Sequence, residues 1–218
     1  MSSRDEILAR IRAAQGRKGH EPTEAELAQV RAAIAQRPLG PTPAAAASGD
    51  IVLRFKGECD RVGTTHGEVA SASDVPGEVA RYLQAQGLAP RVVAWPALAR
   101  LGWSAAGITV DDRPARDGDA VGVTDCFCAI AETGTLLLLS APDTPKLTAL
   151  LPDTHVAIVS RARLVRTMED AFALMRAERG DPPRATWFVS GPSRTADIEQ
   201  TIVIGAHGPY RVHVVLIP

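Results

Sequence analysis

Several short runs in this chain are apolar at consecutive positions, where a half-exposed strand would alternate: Val92 to Trp95, Ala120 to Val123, Thr135 to Ser140, Val156 to Ser160 and Val212 to Ile217. A strand of that kind sends apolar side chains to both faces of its sheet, so both faces must be covered. Helical patterns fall between the runs, at Pro76 to Gln86 with Val79 and Leu83 inward, and at Met168 to Ala177 with Phe172 and Met175 toward the sheet. Ile51 to Phe55 and Trp187 to Val189 read as further strands. The expected architecture is therefore α/β, with helix, sheet and helix in layers and a mostly parallel sheet.

The N-terminal stretch reads differently. Ser3-Arg4-Asp5-Glu6 opens a narrow helix carrying Ile7, Leu8 and Ile11, and Thr23 with Glu26 forms a capping-box pattern ahead of Leu27, Val30 and Ile34. Helices this short are marginal alone in water, so they should dock on the body or on another chain. Gly40 to Asp50 is a Pro/Ala/Gly-biased linker. The division expected is a helical segment at 1–39, a linker at 40–50 and an α/β domain at 51–218.

Charge and cysteine content exclude several classes of function. With 24 basic and 25 acidic residues the net charge is −1, which creates no field to collect nucleic acid or anionic membrane. The cysteines number 3 and include no C-x-x-C pair, a pattern suited to a reducing cytosol and unsuited to a disulfide framework or a metal or iron–sulfur site in this chain. Neither a leader nor a membrane-length apolar stretch is evident, so the expectation is a soluble, cytoplasmic protein.

The most distinctive stretch is Ser190-Gly191-Pro192-Ser193-Arg194-Thr195-Ala196-Asp197-Ile198-Glu199, closed by Gly205-Ala206-His207-Gly208-Pro209. Read as the connection between two adjacent strands, it should turn sharply and cap a short helix bearing Ile198 and Ile202. The backbone N–H groups near Ser193, Thr195 and Gly208, with the Arg194 guanidinium, would then hold a carboxylate or phosphate. Alternatively this is a capped loop whose Arg194 pairs with a local acid. His207 either points into a cleft or bonds a loop carbonyl.

Thr124 to Gly134 reads as a helix of about two turns that ends on a left-handed glycine. Glu132 at its C-terminal edge is either an acid, base or nucleophile or else an ion-pair member. Cys126, Cys128 and Cys59 read as buried, unreactive thiols. His155 and His213 lie in apolar runs as core or edge residues, whereas His20 and His66 fall in polar loops. Dinucleotide, Walker and nucleophile-elbow motifs are all missing from the sequence.

Taken with Val123-Thr124-Asp125, Ala129 to Thr135 and Leu151-Pro152-Asp153-Thr154-His155-Val156, the Ser190 to Pro209 stretch closely resembles the lactate-utilisation protein C family, the LUD domain. The resemblance runs from roughly the linker to the C-terminus. It implies a sheet fold similar to the ribose-phosphate isomerase and CoA-transferase superfamily, and a part in oxidising L-lactate to pyruvate with two other proteins, one or both of which carry iron–sulfur clusters. This chain would be the cluster-free member, or an assembly subunit without chemistry, or an independent isomerase or acyl-CoA transferase using Glu132 as nucleophile. Cys126 and Cys128 depart from the resemblance, since the family more often has small or aromatic residues there. No agreed catalytic residues carry over from the family. The expectation that Glu132, Arg194 and His207 share a site rests on three loops meeting at one sheet edge.

Overall fold

The computed structural model describes residues 3–17, 19, 21–37, 40–41, 48–196 and 199–218. The chain divides into two compact units, Met1–Pro41 and Thr42–Pro218. In the first unit, α1 (Ser3–Ala14) is followed by α2 (Glu24–Gln36), and the expected capping box forms: the Glu26 N–H donates to Thr23 Oγ1 at 3.2 Å and the Thr23 N–H to Glu26 Oε2 at 2.8 Å. Neither helix buries a residue, and Ile7, Ile11, Val30 and Ile34 are all exposed.

The second unit begins with α3 (Ile51–Val62) where a strand was expected from Ile51 to Phe55. Two features decide for the helix. Ile51, Phe55 and Cys59 recur at i, i+4 and i+8, and the Asp50 carboxylate accepts from the Val52 and Leu53 N–H groups at 2.8 and 2.9 Å. Then follow β1 (Thr65–Glu68), α4 (Val75–Ala85), β2 (Arg91–Ala94), β3 (Thr109–Asp111), β4 (Val121–Asp125), β5 (Cys128–Ile130) and β6 (Thr135–Leu139). The chain continues through α5 (Leu147–Leu150), β7 (Thr154–Ser160), β8 (Leu164–Val165), α6 (Met168–Arg179), β9 (Thr186–Val189), β10 (Arg194–Thr195), β11 (Val203–Ile204) and β12 (Arg211–Ile217).

The central sheet has 6 strands in the order β1-β12-β7-β4-β2-β3, and every neighbouring pair is parallel. The apolar runs at β2, β4, β7 and β12 thus lie where a doubly covered sheet requires them. Register settles which face is which. His213 aligns with Val156 and faces α4, where its ring stacks on Tyr82 at 4.0 Å. Gly122 aligns with His155 on the opposite face, where the backbone of α5 comes so close that a methyl group on Gly122 would overlap the Thr148 carbonyl oxygen.

A second sheet, of 4 strands in the order β8-β5-β6-β9, replaces the helix expected between Thr124 and Gly134. Its period-two pattern explains it: Ala129, Leu136 and Leu138 join the main core, while Cys128, Ile130, Leu137 and Leu139 pack with Ala171 and Met175 of α6. Gly134 is left-handed as expected, at φ 63°, but in the turn of the β5–β6 hairpin, pressed on the α3 backbone at Glu58 and Cys59. Met175 is buried as expected; Phe172 is exposed and meets Phe188 of β9, with ring centroids 5.8 Å apart.

Two expectations about the Ser190 to Pro209 stretch are corrected. β9 belongs to the second sheet and β12 to the first, so this stretch joins two sheets and does not link adjacent strands. A two-stranded ladder, β10 with β11, pairs Arg194 with Ile204 and Thr195 with Val203 where a helix was expected; Asp197 and Ile198 lie outside the described residues. β1 includes His66, read from sequence as a loop residue, whose Nε2 sits 3.2 Å from Asp60 Oδ1; His20 is outside the described residues.

The contact at Gly122 sets a test. Gly122→Ala must push α5 off β4 or bend the strand, so it should lower unfolding free energy by about 3 kcal/mol. Urea denaturation of the variant beside the parent measures this directly, and a loss below about 0.5 kcal/mol would mean that α5 is not packed on β4 as described.

Candidate functional site

The order of the central sheet fixes where a crevice must open. After β2 the chain moves outward to β3 at one edge, then returns to the other side of β2 to add β4, and β7 and β12 extend the sheet in the opposite direction. Connections leaving the carboxyl ends of β2 and β4 therefore diverge, and the gap between them is where open parallel sheets bind ligands. Trp95 directly follows β2, and its backbone N–H donates to Val123 O of β4 at 3.1 Å; Asp125 ends β4. Both line a cavity of about 680 Å³ that opens at this point.

Three further segments complete its walls. The loop after β6 folds on itself through Thr144, whose Oγ1 donates to Leu139 O at 2.8 Å and accepts from the Ala141 N–H at 2.8 Å. The Trp95 indole Nε1–H then donates to Pro145 O at 3.1 Å, which holds this loop, and Asp143 within it, at the crevice. Arg163, from the short helix after β7, donates through Nε to Phe127 O at 2.7 Å and grips Glu178 of α6 through both terminal nitrogens at 2.6 and 3.1 Å. Its guanidinium lies 4.6 Å from the Phe127 ring centroid, and that of Arg179 lies 5.7 Å from the same centroid. Among the described residues Arg179 holds no carboxylate in an ion pair, so it is the cation of this lining left to meet a ligand anion.

Electrostatics single out Asp125. Burial raises its carboxyl to about 6, with the negative charge of Asp143 as a smaller contribution in the same direction. A carboxyl poised there is ionised at neutral pH yet takes up a proton readily, which suits general acid–base chemistry. Cys126 and Cys128 flank Phe127; burial pushes Cys126 well above the ordinary thiol range and Cys128 up to about 11, so both stay protonated. Burial likewise raises Cys59 to about 12. Among the described residues, no group of three or more His, Cys, Asp or Glu side chains is placed to hold a metal ion.

The residues singled out from sequence lie elsewhere. The Ser193 N–H donates to Pro209 O at 2.8 Å, and its carbonyl accepts from the Gly205 N–H at 2.9 Å, so Ser193 does not offer the free N–H expected of it. Arg194 is exposed and donates from Nη2 to Val62 O at 2.8 Å, closing the carboxyl end of α3. Thr195 is taken into the β10–β11 ladder. Gly208 packs against Ser193, and His207 beside it is exposed.

This hairpin and its closing loop run into β12 at Tyr210 and Arg211, whose N–H groups donate to Asp153 O at 3.0 and 3.1 Å. They therefore sit at the amino ends of the parallel strands, the edge opposite the crevice. Glu132 is half-buried in the β5–β6 turn, where its N–H donates to Arg166 O at 3.0 Å. The turn that carries it and the Arg194 side chain both rest on α3, but Glu132, Arg194 and His207 do not line the crevice.

The two buried histidines behave as core residues. His155 Nε2 lies 2.8 Å from Thr124 Oγ1, and His213 Nδ1 lies 2.9 Å from Thr65 Oγ1; burial lowers each to about 4 and keeps it neutral. Asp125 had one visible signal in the sequence, a carboxylate closing the buried strand Val121-Gly122-Val123-Thr124. What makes it a site residue is strand order, which periodicity does not contain.

Asp125 also sets a pH dependence. Its folded carboxyl at about 6 lies above the unfolded value of about 3.9, so ionising it costs the folded state stability at pH above 6, and that cost vanishes as pH falls below 4. Asp125→Asn should therefore raise the melting temperature at pH 7.5 and leave it unchanged at pH 3.5. Melting curves across this range decide it; a variant less stable than the parent at pH 7.5 would contradict the assignment.

Known proteins align with this chain as follows. The LUD domain family matches residues 117–217, a segment that contains Asp125, Asp143, Arg163 and Arg179. A Deinococcus radiodurans protein named lactate utilization protein C is 33% identical over 188 residues, covering 83% of this chain and 85% of its own length. A Bacillus licheniformis protein of the same name is 36% identical over 100 residues, 44% of this chain and 42% of that one. A crystal structure of a DUF162 family protein from Deinococcus radiodurans superposes with a TM-score of 0.57 at 24% identity, covering 83% of this chain and all 100% of the other, and shares the fold.

Proposed function

Since the chain belongs to the LUD domain family, we propose that it is the cluster-free component of a cytoplasmic lactate-utilisation system that oxidises L-lactate to pyruvate together with iron–sulfur partner proteins. The observation that carries the reading is the crevice between β2 and β4, where a carboxyl raised to about 6 and the Arg179 guanidinium, which pairs with no carboxylate among the described residues, line one cavity, in a chain that aligns over most of its length with a lactate utilization protein C.

The chemistry asked of this chain is modest. Arg179 binds the lactate carboxylate, and ionised Asp125 accepts the 2-hydroxyl proton as the C2–O bond becomes the pyruvate carbonyl. Oxidation of C2 also removes its hydrogen and two electrons, and the partner proteins would have to supply the acceptor for both; this chain's part is to hold the carboxylate and take the hydroxyl proton. That the chain has only three cysteines, Cys59 on α3 and Cys126 and Cys128 either side of Phe127, supports placing the clusters in the partners, since a cluster takes four thiolates. The exposed apolar residues of α1 and α2 favour a second reading, in which this chain only assembles the system.

One add-back experiment separates the two. In extract from cells lacking this gene alone, L-lactate should yield no pyruvate until the purified protein is returned. Asp125→Asn and Arg179→Ala should each restore roughly a hundredth of the parent rate or less. In the reconstituted system the rate should fall as pH drops through about 6, where Asp125 becomes protonated. Full restoration by Asp125→Asn would leave assembly as the role, and an undiminished rate in the depleted extract would remove this chain from lactate oxidation.

A further inference from the structure

Resting on the assignment of 2-hydroxy-acid chemistry to the crevice, we infer that its ligands are monocarboxylic 2-hydroxy acids with side chains well beyond the methyl group of lactate. Size is the first argument. The cavity measures about 680 Å³, within the range of roughly 300–1,000 Å³ that encloses drug-sized ligands, whereas lactate has only six non-hydrogen atoms. Once its carboxylate meets Arg179 and its hydroxyl meets Asp125, most of that space remains water.

The remaining walls say what should displace the water. Trp95, Phe127, Leu139, Ala141 and Pro183 give the cavity an apolar surface suited to an alkyl or aryl chain. The lining sets Asp125, Asp143, Glu178 and Asp181 against Arg163 and Arg179, and Arg163 is already paired with Glu178, so after one ligand carboxylate meets Arg179 a second finds only repulsion and a dicarboxylic acid such as malate is disfavoured even though it would fit. Each methylene buried against apolar walls tightens binding by roughly fourfold, and 2-hydroxyhexanoate adds three to lactate.

Calorimetric titration of the full-length protein with L-lactate, L-2-hydroxyhexanoate and L-malate tests this. The hexanoate should bind at least about tenfold more tightly than lactate, allowing for incomplete burial, and malate should be the weakest. Ala141→Trp, which fills the apolar side of the cavity, should bring the hexanoate-to-lactate ratio back toward one; Pro183→Trp serves the same purpose if the first variant does not melt cooperatively. The inference is overturned if the hexanoate binds no better than lactate, if malate binds best, if none of the three binds, or if both folded tryptophan variants leave the ratio unchanged. Lactate binding without any hexanoate preference removes this inference alone. Preferential binding of the hexanoate, beside an add-back in which Asp125 proves dispensable, removes the lactate-oxidising role and leaves the ligand class standing.

Discussion

The seam between β2 and β4 is where the two directions of the fold meet. Only Val93 with Gly122 and Ala94 with Val123 pair across it, and the Trp95 N–H extends the ladder by one bond to Val123 O. Everything on one side, β3 and the chain leading to it, winds outward one way; β7 and β12 wind the other. A parallel sheet with such a reversal has to open at the carboxyl ends of the two strands concerned, because their outgoing connections have no reason to cover that point. The rest of the molecule fills the gap incompletely. The second sheet sends one loop to it, α6 sends its last turn, and what remains is the crevice.

Bracing gives that crevice its chemical character. Trp95 is almost wholly buried, yet its indole N–H reaches Pro145 O, so the same residue that continues β2 also fixes the loop carrying Asp143. Arg163 and Glu178 satisfy one another, which leaves Arg179 beside the Phe127 ring as the cation available to a ligand. Asp125 is held between burial and a neighbouring negative charge, and both push its proton affinity in the same direction. A group in that position weakens the fold slightly at neutral pH, the pattern expected where stability has been exchanged for reactivity.

Much of the scaffold was legible from local pattern. The continuous apolar strands, the Thr23–Glu26 capping box and the buried Met175 of α6 follow from residue periodicity and cap chemistry. Two local misreadings came from short windows. Ile51 to Phe55 looks like a strand until Cys59 and Val62 extend its period to a helix, and Cys128 to Ile130 looks helical until its partners Leu136 and Leu137 show the alternation of a hairpin. The candidate site was harder to see for a different reason. Arg194 and His207 stand out because turns concentrate unusual residues, yet the turn serves to cap α3 and to join two sheets. Asp125 looks ordinary in sequence, and it takes the neighbours of β4 in space, about thirty residues away on either side, to place it at a divergence.

The most direct test of the crevice is a crystal structure of the full-length protein with oxamate, an unreactive analogue of pyruvate. The account predicts its carboxylate on the Arg179 guanidinium and its polar end toward Asp125, between the ends of β2 and β4. Oxamate bound instead at the Ser193 to Gly208 hairpin, at the opposite edge of the sheet, would contradict it.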